Sequence, residues 1–78
     1  MDLLDTFARR LSAVRRRQGW TQQTLGQAVG VSRKTIFRLE HSPETQCVSL
    51  VLLQRLQQHL QVSLDWLITG TEASSHDP

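Results

Sequence analysis

The chain has 78 residues and a mass of 8.9 kDa, which is enough for one small domain. With 38% hydrophobic and 21% charged residues, four Gly and two Pro, its composition is that of a globular protein and excludes a fibrous or fully disordered one. The charge is unevenly distributed, because residues 1–39 carry eight Arg or Lys against two Asp (+6), whereas residues 40–78 carry one Arg against five acidic residues (−4). This asymmetry predicts that the N-terminal half binds a polyanion.

Other features of the sequence argue against a membrane protein and an enzyme. The longest apolar run, Leu50–Leu53, is far shorter than the ~20 residues of a membrane span. Asp2 and Asp5 stand where a signal peptide would carry positive charge, so we expect a cytoplasmic protein. The single cysteine, Cys47, cannot form an internal disulfide and is expected to have no role in function. The sequence has no zinc-ligand spacing, catalytic triad or phosphate-binding glycine loop, so we expect no metal, no cofactor and no enzymatic activity.

Capping signals divide the chain into five helices. Glycines stand where helices should end, at Gly19, Gly30 and Gly70. Hydroxyl residues that can act as N-caps stand where helices should begin, at Thr21, Ser32 and Ser63. The predicted helices cover residues 3–18, 22–29, 33–40, 49–61 and 64–69. We therefore predict an all-α domain over residues 1–70 and a disordered polar tail over residues 71–78.

The first helix has an apolar stripe about 100° wide that should face the core. The stripe consists of Leu3, Leu4, Phe7, Leu11 and Val14. Arg15 falls at its edge, where a partly buried cation requires an acidic partner. We therefore predict that Arg15 is mainly structural.

The second and third helices are separated by three residues that include a glycine, which is typical of a helix-turn-helix. In the third helix, Ile36 and Leu39 share one face. The opposite arc of about 140° carries four long side chains: Arg33, Lys34, Phe37 and Arg38. Arg and Lys can donate to guanine, and an exposed Phe can contact a thymine methyl, so this face is a candidate for contact with bases. A solvated basic helix on an ordinary bundle is the alternative.

The segment VRRRQGWTQQTLGQAVGVSRKTIFRLE (Val14–Glu40) resembles the helix-turn-helix of the lambdoid-phage repressor and Cro family, also called XRE-like. The later segment VSLDWLITG (Val62–Gly70) resembles the fifth helix of that family. With the fourth helix included, the resemblance covers about Phe7–Gly70 and implies a compact five-helix, repressor-like DNA-binding domain.

The resemblance also implies roles for individual positions. Together with the exposed arc of the third helix, it predicts contacts with bases from Gln22, Ser32, Arg33, Lys34, Phe37 and Arg38. It implies phosphate contacts from Thr21 and Thr35, to which we add Arg17 in the last turn of the first helix. It further implies an ion pair between Arg15 and Glu40, in agreement with the position of Arg15 on the helical wheel.

Two features depart from the family pattern. Gly26 stands where the family usually has Ala, and a glycine weakens a helix by ~1 kcal/mol. The linker between the third and fourth helices, residues 41–49, is about two residues longer than usual and has no Lys or Arg. Its length and its Ser42-Pro43-Glu44 sequence resemble the antitoxin branch of the family.

These observations predict a sequence-specific DNA-binding transcriptional regulator, a repressor that binds a palindromic operator in double-stranded DNA as a homodimer. The core stripe of the fourth helix consists of Leu52, Leu53, Leu56 and Leu60. Candidate dimer contacts are Leu50 and Val51, which fall outside this stripe, and Trp66. Packing into the core is the alternative for Leu50 and for Trp66. An antitoxin that binds a toxin and autoregulates its operon is the alternative function. A third possibility is an interaction module that has lost DNA binding.

Overall fold

The computed structural model of the chain describes residues 3–45 and 48–69. Cys47 and the predicted tail of residues 71–78 lie outside these ranges, as does Gly70. The described residues form five α-helices and one short 3₁₀ turn, and they contain no strand. The helices are α1 (Leu3–Arg17), α2 (Gln22–Val29), α3 (Arg33–His41), α4 (Leu50–Leu60) and α5 (Leu64–Thr69), with the 3₁₀ turn at Pro43–Thr45. The predicted all-α fold is confirmed, and none of the described helices is long and apolar enough to cross a membrane.

Hydroxyl side chains start the helices as the sequence predicts. The Thr21 hydroxyl accepts a hydrogen bond from the Thr24 backbone N–H, and the Thr24 side chain accepts one from the Thr21 N–H in return, which forms a capping box. At the other end of α2, Gly30 has a φ of 84° and its N–H donates to the Gly26 carbonyl. Both ends of α2 are therefore satisfied locally, so its boundaries follow from the sequence.

The predicted boundaries of α4 are each wrong by one residue. Ser49 precedes this helix, because its hydroxyl accepts the N–H of Leu52 and so acts as the N-cap. Gln61 follows it with a φ of 58°, a left-handed conformation in which its N–H donates to the Gln57 carbonyl. A non-glycine residue therefore takes the capping position that glycine takes at the end of α2.

All five helices contribute to one hydrophobic core. α1 packs against α3 and α5, and α2 packs against α3 and α4. The buried hydrophobic side chains are Phe7, Ala8, Leu11, Val14, Leu25, Val29, Ile36, Leu39, Leu52, Leu56, Leu60 and Leu67. One face of α3 is thereby anchored in the core, and the opposite face is exposed to solvent.

The core does not extend to the beginning of α1. Leu3 and Leu4 belong to the predicted stripe, yet they are 58% and 40% exposed. The prediction that they are buried in the core is wrong, because they line an open groove with Phe7, Val48, Leu53 and Ile68 and keep their outer side exposed. Leu50 and Val51, at the start of α4, are likewise 82% and 54% exposed, which agrees with their predicted position outside the core stripe.

Gly26 allows a close contact between α2 and the turn that follows it. A Cβ atom at this position would lie 2.7 Å from the Val31 carbonyl oxygen, which is closer than a Cβ atom approaches a non-bonded neighbour in proteins. The turn folds back tightly because the Gly26 carbonyl accepts the N–H groups of both Gly30 and Val31. Gly26 therefore lowers the helix propensity of α2, as the sequence indicates, but it is needed because any side chain would overlap this turn. The sequence did not reveal that second effect.

We predict that Gly26→Ala destabilises the protein by about 1–3 kcal/mol, because the overlap with a backbone carbonyl outweighs the gain in helix propensity. Urea unfolding followed by circular dichroism measures the change. Gln27→Ala, on the exposed side of the same helix, is the control and should change the stability by less than about 0.5 kcal/mol. An equally stable or more stable Gly26→Ala variant would show that the turn moves away at little cost.

Candidate nucleic-acid interface

α3 presents its long polar side chains to solvent. Arg33, Lys34, Phe37 and Arg38 are all exposed, and Phe37 retains 45% of its accessible surface. Ile36, Leu39 and Glu40 are buried on the other face. No ion pair within the described parts of the chain engages the three cations on the exposed face. The helix therefore offers three uncompensated cations and one aromatic ring on a single surface, which we call the α3 face.

A buried ion pair attaches α3 to α1. The Arg15 guanidinium donates from Nε to Glu40 Oε2 at 2.6 Å and from Nη2 to Glu40 Oε1 at 3.1 Å. Its Nη1 donates to the Trp20 carbonyl oxygen at 2.8 Å, which joins the segment before α2 to the same network. Arg15 and Glu40 are only 7% and 8% exposed. The two residues lie together as the sequence predicts, and they determine how α3 is held.

Gln22, a predicted base contact, lies beside the buried ion pair. Its side-chain Nε2 donates to Glu40 Oε1 at 3.2 Å, so in this structure it supports the ion pair and not a residue of the α3 face. An amide has a second N–H and an acceptor oxygen, and Gln22 is only partly buried. The side chain therefore retains hydrogen-bonding capacity toward solvent.

Of the three predicted hydroxyl contacts, Thr21 and Ser32 cap helices, and Thr35 lies in the first turn of α3 beside Ser32. Thr21 accepts the N–H of Thr24 at 3.0 Å, and Ser32 accepts the N–H of Thr35 at 3.1 Å. The Ser32 and Thr35 hydroxyls also lie 3.1 Å apart, within hydrogen-bonding distance. Their first structural task is thus to start α2 and α3, although a hydroxyl group that accepts a hydrogen bond retains a proton to donate.

Two residues near α3 were not identified from the sequence. His41 extends α3 by one residue beyond its predicted end, and its ring lies over that of Phe37 with centroids 4.3 Å apart and planes inclined by 34°. The spacing of four residues between them was an available signal.

Arg55 of α4 reaches the end of α2, where its Nη1 lies 3.3 Å from the Val29 carbonyl oxygen. A helix C-terminus is a favourable place for a cation. No sequence signal identified this contact, because it joins residues 26 positions apart.

The sequence predicts a phosphate contact for Arg17 and a place in either a dimer interface or the core for Trp66. Both line a groove between α1 and α5, where the Arg10 guanidinium carbon lies 5.2 Å from the centroid of the Trp66 ring. Trp66 is partly buried and also packs against the core. Of the described residues, no group of three or more His, Cys, Asp or Glu is arranged to hold a metal ion.

The tight α2–α3 turn and the anchored, cationic α3 define a helix-turn-helix domain. The family model described as helix-turn-helix matches residues 11–67, which is more than half of the chain. The chain therefore belongs to this family of XRE-like, repressor- and Cro-related proteins, which are DNA-binding regulators.

Among curated proteins, the antitoxin HipB of Escherichia coli O6:H1 is similar to this chain. The two are 32% identical over 58 residues, which cover 74% of this chain. The match spans 60% of the length of that relative.

We predict that removing one partner of the buried ion pair, in Glu40→Ala, destabilises the protein by about 3–5 kcal/mol, because the Arg15 cation remains buried without compensation. Urea unfolding measures the loss. The matched control is Arg15→Met combined with Glu40→Leu, which removes both charges and should cost clearly less than Glu40→Ala alone. If the double variant is as unstable as Glu40→Ala, the loss comes from packing and not from the uncompensated charge.

Proposed function

We propose that this protein is a sequence-specific transcriptional repressor that binds a palindromic operator as a homodimer. The observation that carries the proposal is the α3 face, where one aromatic ring and three cations project from a helix anchored on its opposite side, and no described acidic residue pairs with these cations. A recognition helix needs this division, because the anchored face determines how the exposed face enters the major groove. Occupancy of the operator would block transcription without covalent chemistry.

Individual contacts follow from the chemistry of the side chains. Arg33, Lys34 and Arg38 are long donors suited to guanine O6 and N7, and Phe37 is suited to a thymine methyl group. Ser32 and Gln22 stand at the edges of this surface and add hydrogen bonds to bases. Thr21 and Thr35, at the starts of α2 and α3, contact phosphates, which position the domain on the duplex without selecting its sequence. Arg17 lines the α1–α5 groove, so it is not included among these contacts.

An apolar surface supports the homodimer. A groove of about 190 Å³ lies where the start of α1 meets the region around the start of α4. It is lined by Leu3, Leu4, Phe7, Val48, Leu53 and Ile68. Leu50 and Val51 precede Leu53 on α4 and are strongly exposed, as are Leu3 and Leu4. Exposed apolar clusters of this kind mark interaction sites, and a second copy of the chain would remove this one from water. Trp66 is not part of this surface.

Dimerisation also increases the number of base pairs that the protein contacts. A single helix-turn-helix spans few base pairs, whereas two copies on half-sites one helical turn apart, ~34 Å, double the contacted sequence. The two-fold symmetry of the dimer would then be matched by the palindrome.

An antitoxin is the second candidate function, favoured by the similarity to the antitoxin HipB and by the length and Ser42-Pro43-Glu44 sequence of the linker between α3 and α4. In this function, the chain would bind a toxin and use the same α3 face to autoregulate its operon. Co-expression with the product of an adjacent reading frame distinguishes the two functions, because an antitoxin copurifies with that product in a fixed stoichiometry.

We predict that Lys34→Ala and Arg38→Ala each weaken binding to the selected operator by about 1–3 kcal/mol and relax the base preference at one position. The operator is first selected from random duplexes, and affinities are then measured by fluorescence anisotropy at a fixed salt concentration. Arg16→Ala is the control, since this exposed cation of α1 lies outside the α3 face. Parent-like affinity of both α3 variants would refute α3 as the recognition helix.

We predict that Leu50→Glu shifts the protein from dimer to monomer, because a charge in an apolar contact between copies would be buried without a partner. Sedimentation equilibrium measures the mass, and operator binding should weaken in parallel. Gln58→Glu adds the same charge at another exposed position of α4 and should leave the mass unchanged. A Leu50→Glu variant that remains dimeric would place the interface elsewhere.

A further inference from the structure

We propose that the groove between α1 and α5 is a second binding site, which takes an acidic segment of a protein partner. The groove has a volume of about 310 Å³ and lies outside the surfaces already assigned to DNA and to the second copy. We call it the arginine groove, and it is lined by Thr6, Arg9, Arg10, Ala13, Arg17 and Trp66.

The first observation is that two cations in the arginine groove have no acidic partner among the described residues. Arg9 forms an ion pair with Asp5 at 3.2 Å, whereas no carboxylate of the described residues pairs with Arg10 or Arg17. Arg10 Nε is in addition buried and has no hydrogen-bond partner there. Arginines on a surface usually remain solvated, but Arg10 is held in place within a concave site. Its charge is therefore available to a ligand.

The second observation is the position of Trp66 beside Arg10. The guanidinium carbon lies 5.2 Å from the centroid of the indole ring, within the range of a cation–π contact. The ring holds the guanidinium in one place, so less side-chain entropy is lost when a carboxylate binds. Trp and Arg are also the residue types that dominate the binding energy of protein interfaces. The groove thus has the composition of an interface centre.

The third observation is that the arginine groove faces away from α3. Arg15 points toward α3, where it holds Glu40. At 3.6 residues per turn, Arg10 and Arg17 lie about 140° and about 160° around α1 from Arg15, both in the same direction. The two are thus within about 20° of each other on the opposite side of α1. A duplex bound to the α3 face would not contact them, which favours a separate partner.

The chemistry of the groove specifies that partner. A guanidinium binds a carboxylate through two parallel hydrogen bonds, and an indole ring packs against an apolar side chain. A short segment that carries Glu or Asp next to an apolar residue satisfies both. We therefore commit to an acidic peptide segment of another protein, in preference to a free anion, which would not use the ring.

Peptide selection tests the proposal. Random 12-residue peptides displayed on phage are selected against the full chain in the presence of saturating duplex DNA, which covers the α3 face. Binders to the Arg10→Gln/Arg17→Gln variant are removed at each round. We expect the enriched peptides to contain Glu or Asp beside an apolar residue. As synthetic peptides, they should bind the double variant at least tenfold more weakly than the parent.

A matched double variant and a second substitution separate specific binding from other effects. Arg16→Gln/Arg55→Gln removes the same charge at two exposed positions outside the groove and outside the α3 face, and it should change peptide affinity by less than threefold. Trp66→Leu keeps the site apolar but removes the ring, and it should weaken binding several-fold. Circular dichroism and thermal unfolding confirm that each variant folds, and only folded variants are compared.

Four results would overturn the proposal. Selection without enrichment of acidic residues excludes the acidic ligand, and equal losses in both double variants indicate general charge attraction. If Arg10→Gln/Arg17→Gln weakens operator binding as much as Lys34→Ala does, the groove contacts DNA. If Glu72→Gln/Asp77→Asn in the full chain tightens peptide binding, these acidic residues of the same chain compete for the groove and the partner is not another protein.

Discussion

The buried contact between Arg15 and Glu40 is the interaction on which the rest of this small domain depends. It joins the end of α1 to the end of α3, and through the Trp20 carbonyl it also holds the segment that leads into α2. A charge removed from water is costly unless several hydrogen bonds compensate it, and here the Glu40 carboxylate accepts from both Arg15 and Gln22. Such a pair has a narrow set of allowed geometries. Leucines in a hydrophobic core hold the helices together without fixing one orientation. The ion pair therefore also fixes the orientation of α3.

With α3 oriented in this way, the positive charge of the N-terminal half is divided among three uses. Arg15 forms an ion pair with Glu40 inside the domain, whereas the cations of the α3 face are exposed to solvent: Arg33, Lys34 and Arg38. The cations of the α1–α5 groove point to the other side of α1. A uniform basic patch would attract any polyanion, whereas this division is compatible with two partners of different shape bound at the same time. The apolar surface at the start of α1 and α4 adds a third kind of contact.

Local signals predicted the helices well because the ends of these helices are satisfied locally. Thr21, Ser32 and Gly30 cap their helices through bonds that span five residues or fewer, so the chain needs no distant contact to decide them. The end of α4 was less predictable because Gln61, a residue with no strong preference for positive φ, takes the left-handed position. The sequence predicted which face of α1 carries the apolar stripe, but it did not predict how much of that stripe is buried. Periodicity predicts which face of the helix a residue occupies, but it does not predict how completely the neighbouring elements cover that face, and Leu3 and Leu4 remain exposed in an open groove.

The sequence by itself determined the all-α class, the α2–α3 helix-turn-helix, the exposed cations of α3 and the pairing of Arg15 with Glu40 that the family resemblance implies. These properties depend on spacing along one helix or on a motif of 27 residues, Val14–Glu40, and a linear pattern contains both. Tertiary structure alone decided that Gly26 is needed beneath the Val31 carbonyl, that Gln22 turns to Glu40, and that Arg10 meets Trp66 across two helices. Each of these contacts joins residues of different helices or residues on the two sides of a tight turn. Such contacts are determined only when the whole core packs at once.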